Sequence, residues 1–221
     1  MRVRRLLTVM LCLALPTLAQ ALSIPALPNG MCLLDEKVAE QATVVNYLRN
    51  ANAGSNEVLA TFARCDELAA IAAKKGSSIT HYGAVLRQSL GEPLPLARSA
   101  YVEAAAAAYR ANGAAITETA LTGAREAVAN GTKGSDITNP KAITADSNGV
   151  LFKNADMLIL GVVQTNSLGN KVSRIASTSA LTLVGGSPVS VNLYAPEALG
   201  VFAQSSATLQ PFVTQLVAAN P

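Results

Sequence analysis

Ala180-Leu181-Thr182-Leu183-Val184-Gly185-Gly186-Ser187-Pro188-Val189-Ser190-Val191-Asn192-Leu193-Tyr194 is the stretch whose reading decides the fold. Two runs rich in aliphatic and β-branched residues flank a Gly-Gly pair. Glycine enters the left-handed backbone region without steric cost, which a two-residue hairpin turn requires. So short a link cannot carry a parallel crossover, so the two strands run antiparallel. The first strand extends back to Lys171, and Pro196 ends the second.

Upstream, Met157 to Val163 is apolar on both faces and predicts a central strand. Ala142-Ile143-Thr144-Ala145 reads as another, and Ser167-Leu168-Gly169-Asn170 as a turn. Downstream, Leu209, Phe212, Val213, Leu216 and Val217 fall on one buried face of a closing helix. Pro211 is tolerated in a first turn, which places the N-cap at Thr208.

The middle of the chain is helical. Leu96 to Asn112 is rich in alanine, with Tyr101, Ala105, Ala108 and Tyr109 near one stripe and Asn112-Gly113 as its stop. Glu118 to Ala129 predicts a second helix that buries Leu121, Ala124 and Val128, and Thr132 to Pro140 a surface loop. In the first third, Leu22 to Asn29 holds Pro25 and Pro28 and reads as an extended lead-in. Met31 to Leu34 is a short strand. Asp35 is the expected cap of a helix carrying Val38, Ala42, Val45 and Leu48. Turn residues Asn52 to Asn56 separate it from a strand over Glu57 to Arg64. Leu68 to Ala73 suits helix or strand, Gly76 to Ser78 is a turn, and Ile79 to Leu90 reads as strand. The sum is an α+β domain, an antiparallel β-sheet with helices packed against it.

The first 21 residues belong to a different grammar. Arg2, Arg4 and Arg5 precede an apolar run from Leu6 to Leu15, Pro16 breaks it, and Ala19-Gln20-Ala21 presents small residues to a peptidase. These are the three parts of a secretory signal, cleaved after Ala21. The run is about half the roughly 20 residues that a spanning helix needs, which disfavours a membrane anchor. The expected product is one α+β domain over residues 22–221, periplasmic or secreted, with no membrane span. Lys and Arg number 17 against 14 Asp and Glu. The three arginines of the leader account for the difference, so the rest of the chain is balanced. It carries no electrostatic footprint for nucleic acid.

Beyond Cys12 of the leader, the chain has two cysteines, Cys32 and Cys65. An even pair in an oxidising compartment favours a structural disulfide. Two separate buried thiols are the alternative, and a redox couple is a third, disfavoured because catalytic dithiols usually sit as C-x-x-C.

The inventory for catalysis is poor. His81 is the one histidine and sits beside Tyr82, a setting more often structural than catalytic. The sequence holds no G-x-S-x-G, G-x-G-x-x-G or phosphate-loop motif. Asp146-Ser147-Asn148-Gly149 fails as a calcium loop, because its sixth and twelfth positions are Leu151 and Met157, and a turn fits better. Asp35-Glu36 and Asp66-Glu67 pair carboxylates, but neighbours face different ways, and capping or a solvated surface accounts for them. Asn130-Gly131-Thr132 is a sequon with meaning only in a glycosylating host. No cofactor or metal is expected.

Cysteine-bearing strand, helix, strand ending at the second cysteine, helices, then Ala180 to Gly186, Val191 to Pro196 and a closing helix to Ala218-Ala219-Asn220-Pro221 form one ordered pattern. This layout resembles a set of uncharacterised exported bacterial proteins. More distantly it is similar to the PsbP/Mog1-like α+β sandwich. The resemblance covers Met31 to Cys65 and Met157 to Pro221 and implies a fold used by binding and assembly proteins; it transfers no site residue. The expectation is a non-catalytic binding or envelope-assembly protein with a protein partner in the cell envelope. The alternative is a hydrolase-like enzyme using His81 or carboxylates.

Overall fold

The computed structural model describes residues 22–75, 78–89, 92–131, 142–168 and 171–221. The leader, the loop expected over Thr132 to Pro140 and the Gly169-Asn170 turn centre therefore lie outside the described residues. The elements run β1 (Met31–Leu33), α1 (Ala39–Asn52), β2 (Asn56–Arg64), α2 (Cys65–Ala72), β3 (Tyr82–Gln88), α3 (Arg98–Gly131), β4 (Ala142–Lys153), β5 (Leu158–Leu168), β6 (Lys171–Val184), β7 (Ser187–Pro196) and α4 (Val201–Ala218).

All strands join one antiparallel sheet in the order β1-β2-β3-β7-β6-β5-β4. Two meanders build it. The chain leaves β3, runs through α3 to the far edge, and returns by three hairpins until β7 lies against β3. The Gly-Gly hairpin forms as expected: Val184 pairs with Ser187, and Gly185 and Gly186 both take positive φ, 54° and 75°. The α+β class read from the sequence is the class observed.

Strand alternation sorts the apolar residues to two faces. Phe62, Val85, Ile159, Val189, Val191 and Leu193 meet Leu209, Phe212, Val213 and Leu216 of α4. On the other face Val102 and Ala106 of α3 cover Leu158 and Leu160, while Leu48 of α1 covers Ala84 and Leu86. The result is a sheet between two helical layers. It explains why Met157 to Val163 reads as apolar throughout: β5 is an inner strand buried on both sides. Leu22, Ile24 and Leu27 of the lead-in extend the α4-side core. Asn220 holds that lead-in from the other end of the chain, accepting the Ser23 N–H at 2.8 Å and donating to the Ser23 carbonyl at 2.8 Å.

Four local expectations need correction. The closing helix starts at Val201, not after Thr208, with Gly200 at φ 78° as its N-cap. Pro211 therefore sits inside α4. It is exposed, as is Ala207 one turn earlier, so the backbone carbonyl that loses its donor faces water. Val201 and Phe202 decide the earlier start by packing on Ala176 and Ala195. The two middle helices are present within α3, divided at the expected stop, where Asn112 leaves helical geometry at φ −137°, and the second resumes directly beyond the kink and not at Glu118; the side chains of Leu121, Ala124 and Val128 lie outside the described residues. Asp146 to Gly149 is not a turn. It lies within β4, where a register shift between Ser147 and Gly149 and φ 80° at Gly149 mark a bulge. Asp35 is not the helix cap: Val38 is, and Asp35 instead accepts the Lys37 N–H at 2.9 Å in a turn before the helix. The strand expected over Ile79 to Leu90 is shorter, Tyr82 to Gln88, and the ambiguous Leu68 to Ala73 is helical through Ala72, with Ala73 as the C-cap of α2.

Candidate functional site

The site grows from the junction of β2 and α2. β2 ends at Arg64, and the chain turns directly into α2, whose first turn carries Asp66 and Glu67. Arg64 Nε donates to Asp66 Oδ1 at 2.9 Å. The guanidinium of Arg64, and then the nearby Glu67 N–H, outweigh burial and hold the Asp66 carboxyl below its usual value. Both partners are about half exposed, so this pair contributes little to stability.

Glu67 is different. Its side chain is 17% exposed and gathers four donors from the residues entering β3. Oε1 accepts Thr80 Oγ1 at 2.6 Å and His81 Nδ1 at 2.6 Å. Oε2 accepts the backbone N–H groups of Thr80 at 2.9 Å and His81 at 3.1 Å. Burial opposes the charge, but the Thr80 hydroxyl and the His81 backbone and ring outweigh it, and the carboxyl sits below its ordinary value. With Glu67 ionised, Nδ1 carries the proton in the neutral ring and Nε2 is its acceptor. The adjoining ladder is firm: Tyr82 pairs with Tyr194 across β3 and β7, their rings stacked with centroids 4.9 Å apart. Burial raises both phenols above the usual tyrosine value.

His81 lines a cleft of about 510 Å³ between this end of the sheet and α4. Leu193 and Ala195 of β7 contribute apolar surface, Arg64 and Asp66 charge, and Val201, Gln204, Ser205 and Thr208 the helical side. Among the described residues the side chains of Gln204, Ser205 and Asn29 have no hydrogen-bond partner, whereas the Thr208 hydroxyl donates to the Gln204 carbonyl at 2.9 Å. The ionisable groups around the cleft thus already have partners, and the free groups are neutral.

Cys32 and Cys65 meet, Sγ to Sγ, at 2.01 Å with Cα atoms 5.1 Å apart. The bond ties β1 to the first residue of α2, and Cys65 itself lines the cleft. Asp35 and Glu36 lie apart from this cleft. Glu36 pairs with Arg49 on the surface, which lowers its carboxyl pKa, the Arg49 hydrogen bond being the largest cause.

The sequence singled out His81 and Asp66-Glu67 but not their convergence, because Glu67 and His81 are 14 positions apart in sequence and meet through the β2–β3 pairing. It missed the α4 wall for a clearer reason. Val201, Gln204, Ser205 and Thr208 follow the i, i+3, i+4, i+7 spacing of one helix face, a stripe that starting the helix at Gly200 would have exposed. Among the described residues, no group of three or more His, Cys, Asp or Glu is placed to hold a metal, and no helix is long and apolar enough to cross a membrane. No protein family, curated protein or solved structure matches this chain.

Proposed function

We propose that this chain is an exported periplasmic or secreted protein, freed of residues 1–21 after Ala21, and that its single α+β domain is a non-catalytic binding or envelope-assembly protein. Its binding site is the cleft between α4 and the β2–α2 junction. One observation carries the reading: the cleft's ionisable groups already have partners, Arg64 with Asp66 and His81 with Glu67, while Gln204, Ser205 and Asn29 keep free neutral hydrogen-bonding groups. Such a surface selects an uncharged polar group, because an unpaired charge entering it would lose hydration without gaining a partner. The partner is expected in the cell envelope. In a cross-linked envelope fraction, the mature chain should capture that partner, and a Gln204→Ala/Ser205→Ala double variant with unchanged melting temperature should lose it. Equal capture by a folded double variant would contradict the assignment.

The 2.6 Å contact between Glu67 and His81 favours a second reading, hydrolysis, with the carboxylate orienting the ring and a Ser205 or Thr208 hydroxyl as nucleophile. A fluorophosphonate probe separates the two. A covalent adduct on Ser205 that disappears in His81→Ala would establish the enzyme, and an unlabelled protein supports the binding role.

A further inference from the structure

Another cavity lies along the outer edge of β2, away from the cleft just described. β2 spans Asn56–Arg64, yet β1 pairs only with Phe62, Ala63 and Arg64. One further bond, from the Leu34 N–H to the Thr61 carbonyl at 3.0 Å, closes that short ladder. Past it the chain turns away towards α1, and no described residue bonds the outer edge of Asn56 to Ala60. A groove of about 660 Å³ follows this open edge. It is lined by Val58 to Thr61 of the strand, by the lead-in at Ile24 to Leu27, and by Glu36 and Arg49. Leu33, 63% exposed, stands at the end where β1 stops.

Open edges of this kind are normally blunted by charge or by cover. Here Glu57 is the charged residue on the free segment, and it is already paired with Arg87 of β3. The irregularity between Val58 and Ala60 bends the strand, and Leu59 still packs against the α4-side core.

We infer that this groove accepts an extended peptide segment of a partner protein, which adds to β2 antiparallel and continues the ladder that β1 begins. Three features select that occupant. β1 already occupies the same edge in the same orientation, so the new strand extends an existing interface. The groove's two lining charges, Glu36 and Arg49, neutralise each other, so the matching segment is uncharged and alternates apolar side chains with small polar ones. The groove runs along the unpaired segment of one strand, between the lead-in and the Glu36–Arg49 pair, which suits a single extended strand. In strand addition, backbone hydrogen bonds supply affinity and the pockets beside the edge supply specificity.

The test selects from a displayed library of random uncharged heptapeptides against the oxidised mature chain, then maps the selected capped peptides by amide hydrogen exchange. The expected pool alternates apolar residues and slows exchange within Asn56 to Ala60. N-methylating alternate backbone amides of the peptide, which leaves the protein untouched, weakens binding by about tenfold or more because it removes ladder donors. Leu33→Glu, at an exposed position, weakens it as well, while the Gln204→Ala/Ser205→Ala variant binds normally. The inference is overturned if the library yields no binder, if binders protect other amides, if N-methylation has no effect, or if concentration-dependent self-association protects the edge instead.

Discussion

Glu67 accepts both the ring and the backbone of His81: Oε1 lies 2.6 Å from Nδ1, and Oε2 lies 3.1 Å from the backbone nitrogen. One carboxylate thereby fixes the segment that enters β3 and the orientation of the chain's one histidine. Because α2 begins at the disulfide-bonded Cys65, that carboxylate is itself anchored to β1.

The pH dependence of this tie has a defined sign. The Glu67 carboxyl is lowered in the folded protein, so the fold prefers its ionised form. The resulting stability is complete above the ordinary carboxylate value and is lost as pH falls through the lower folded value. Glu67→Gln should melt earlier than the parent at pH 7, by about 1–3 kcal/mol, with the gap narrowing towards pH 3. Thermal unfolding between those limits checks it.

Gly83 is the least replaceable glycine of the sheet. A Cβ there would stand 2.4 Å from the Asn192 carbonyl oxygen and 2.5 Å from the Phe62 ring, and the first of these is backbone. Gly83→Ala should destabilise by about 1–3 kcal/mol through overpacking. Gly113, where the nearest atom is 3.5 Å away on the Tyr109 ring, provides the contrast. Ala at 113 should cost little, as urea titration of both variants would show.

Removing the Cys32–Cys65 bond releases a loop of 33 residues. On the chain-entropy account the loss is about 3–4 kcal/mol. Since β1 pairs over three residues only, its exchange protection should collapse before that of β5 or β6. Hydrogen exchange of a Cys32→Ala/Cys65→Ala variant measures both effects.

Asn220 makes two hydrogen bonds to the backbone of Ser23 and a third to the Leu216 carbonyl at 2.7 Å. Asn220→Ala should free the lead-in, cost about 1–2 kcal/mol and speed amide exchange over residues 22–27. Unchanged exchange there would show that Leu22, Ile24 and Leu27 hold the segment by packing alone.

The parts of the fold legible in the sequence are those where a local pattern coincides with the tertiary environment. Gly185-Gly186 demands its turn wherever it occurs, and the double-faced apolarity of Met157 to Val163 states that the strand is covered twice. Errors arose where a local rule met a stronger contact. Pro211 argued for a helix start, but Phe202 packing on the sheet extended α4 eight residues earlier. Asn112-Gly113 is legible by contrast: the helix breaks there, although the next one resumes at once. Asp146 to Gly149 has turn chemistry that β4 absorbs as a bulge. The site was half legible: His81 and Glu67 are visible as chemistry, but their pairing depends on strand register. The Gln204-Ser205 wall becomes legible only with a helix that starts at Gly200, which the packing of Phe202 decides.

The most direct test of the central claim places a photo-crosslinking amino acid at Gln204, within the cleft, and separately at Thr214, exposed on the same helix but outside it. Irradiating cells that produce the folded protein should yield one discrete adduct from position 204 and none from 214. No adduct from 204 in the folded protein, or the same adduct from both positions, would contradict the assignment of this cleft as the binding site.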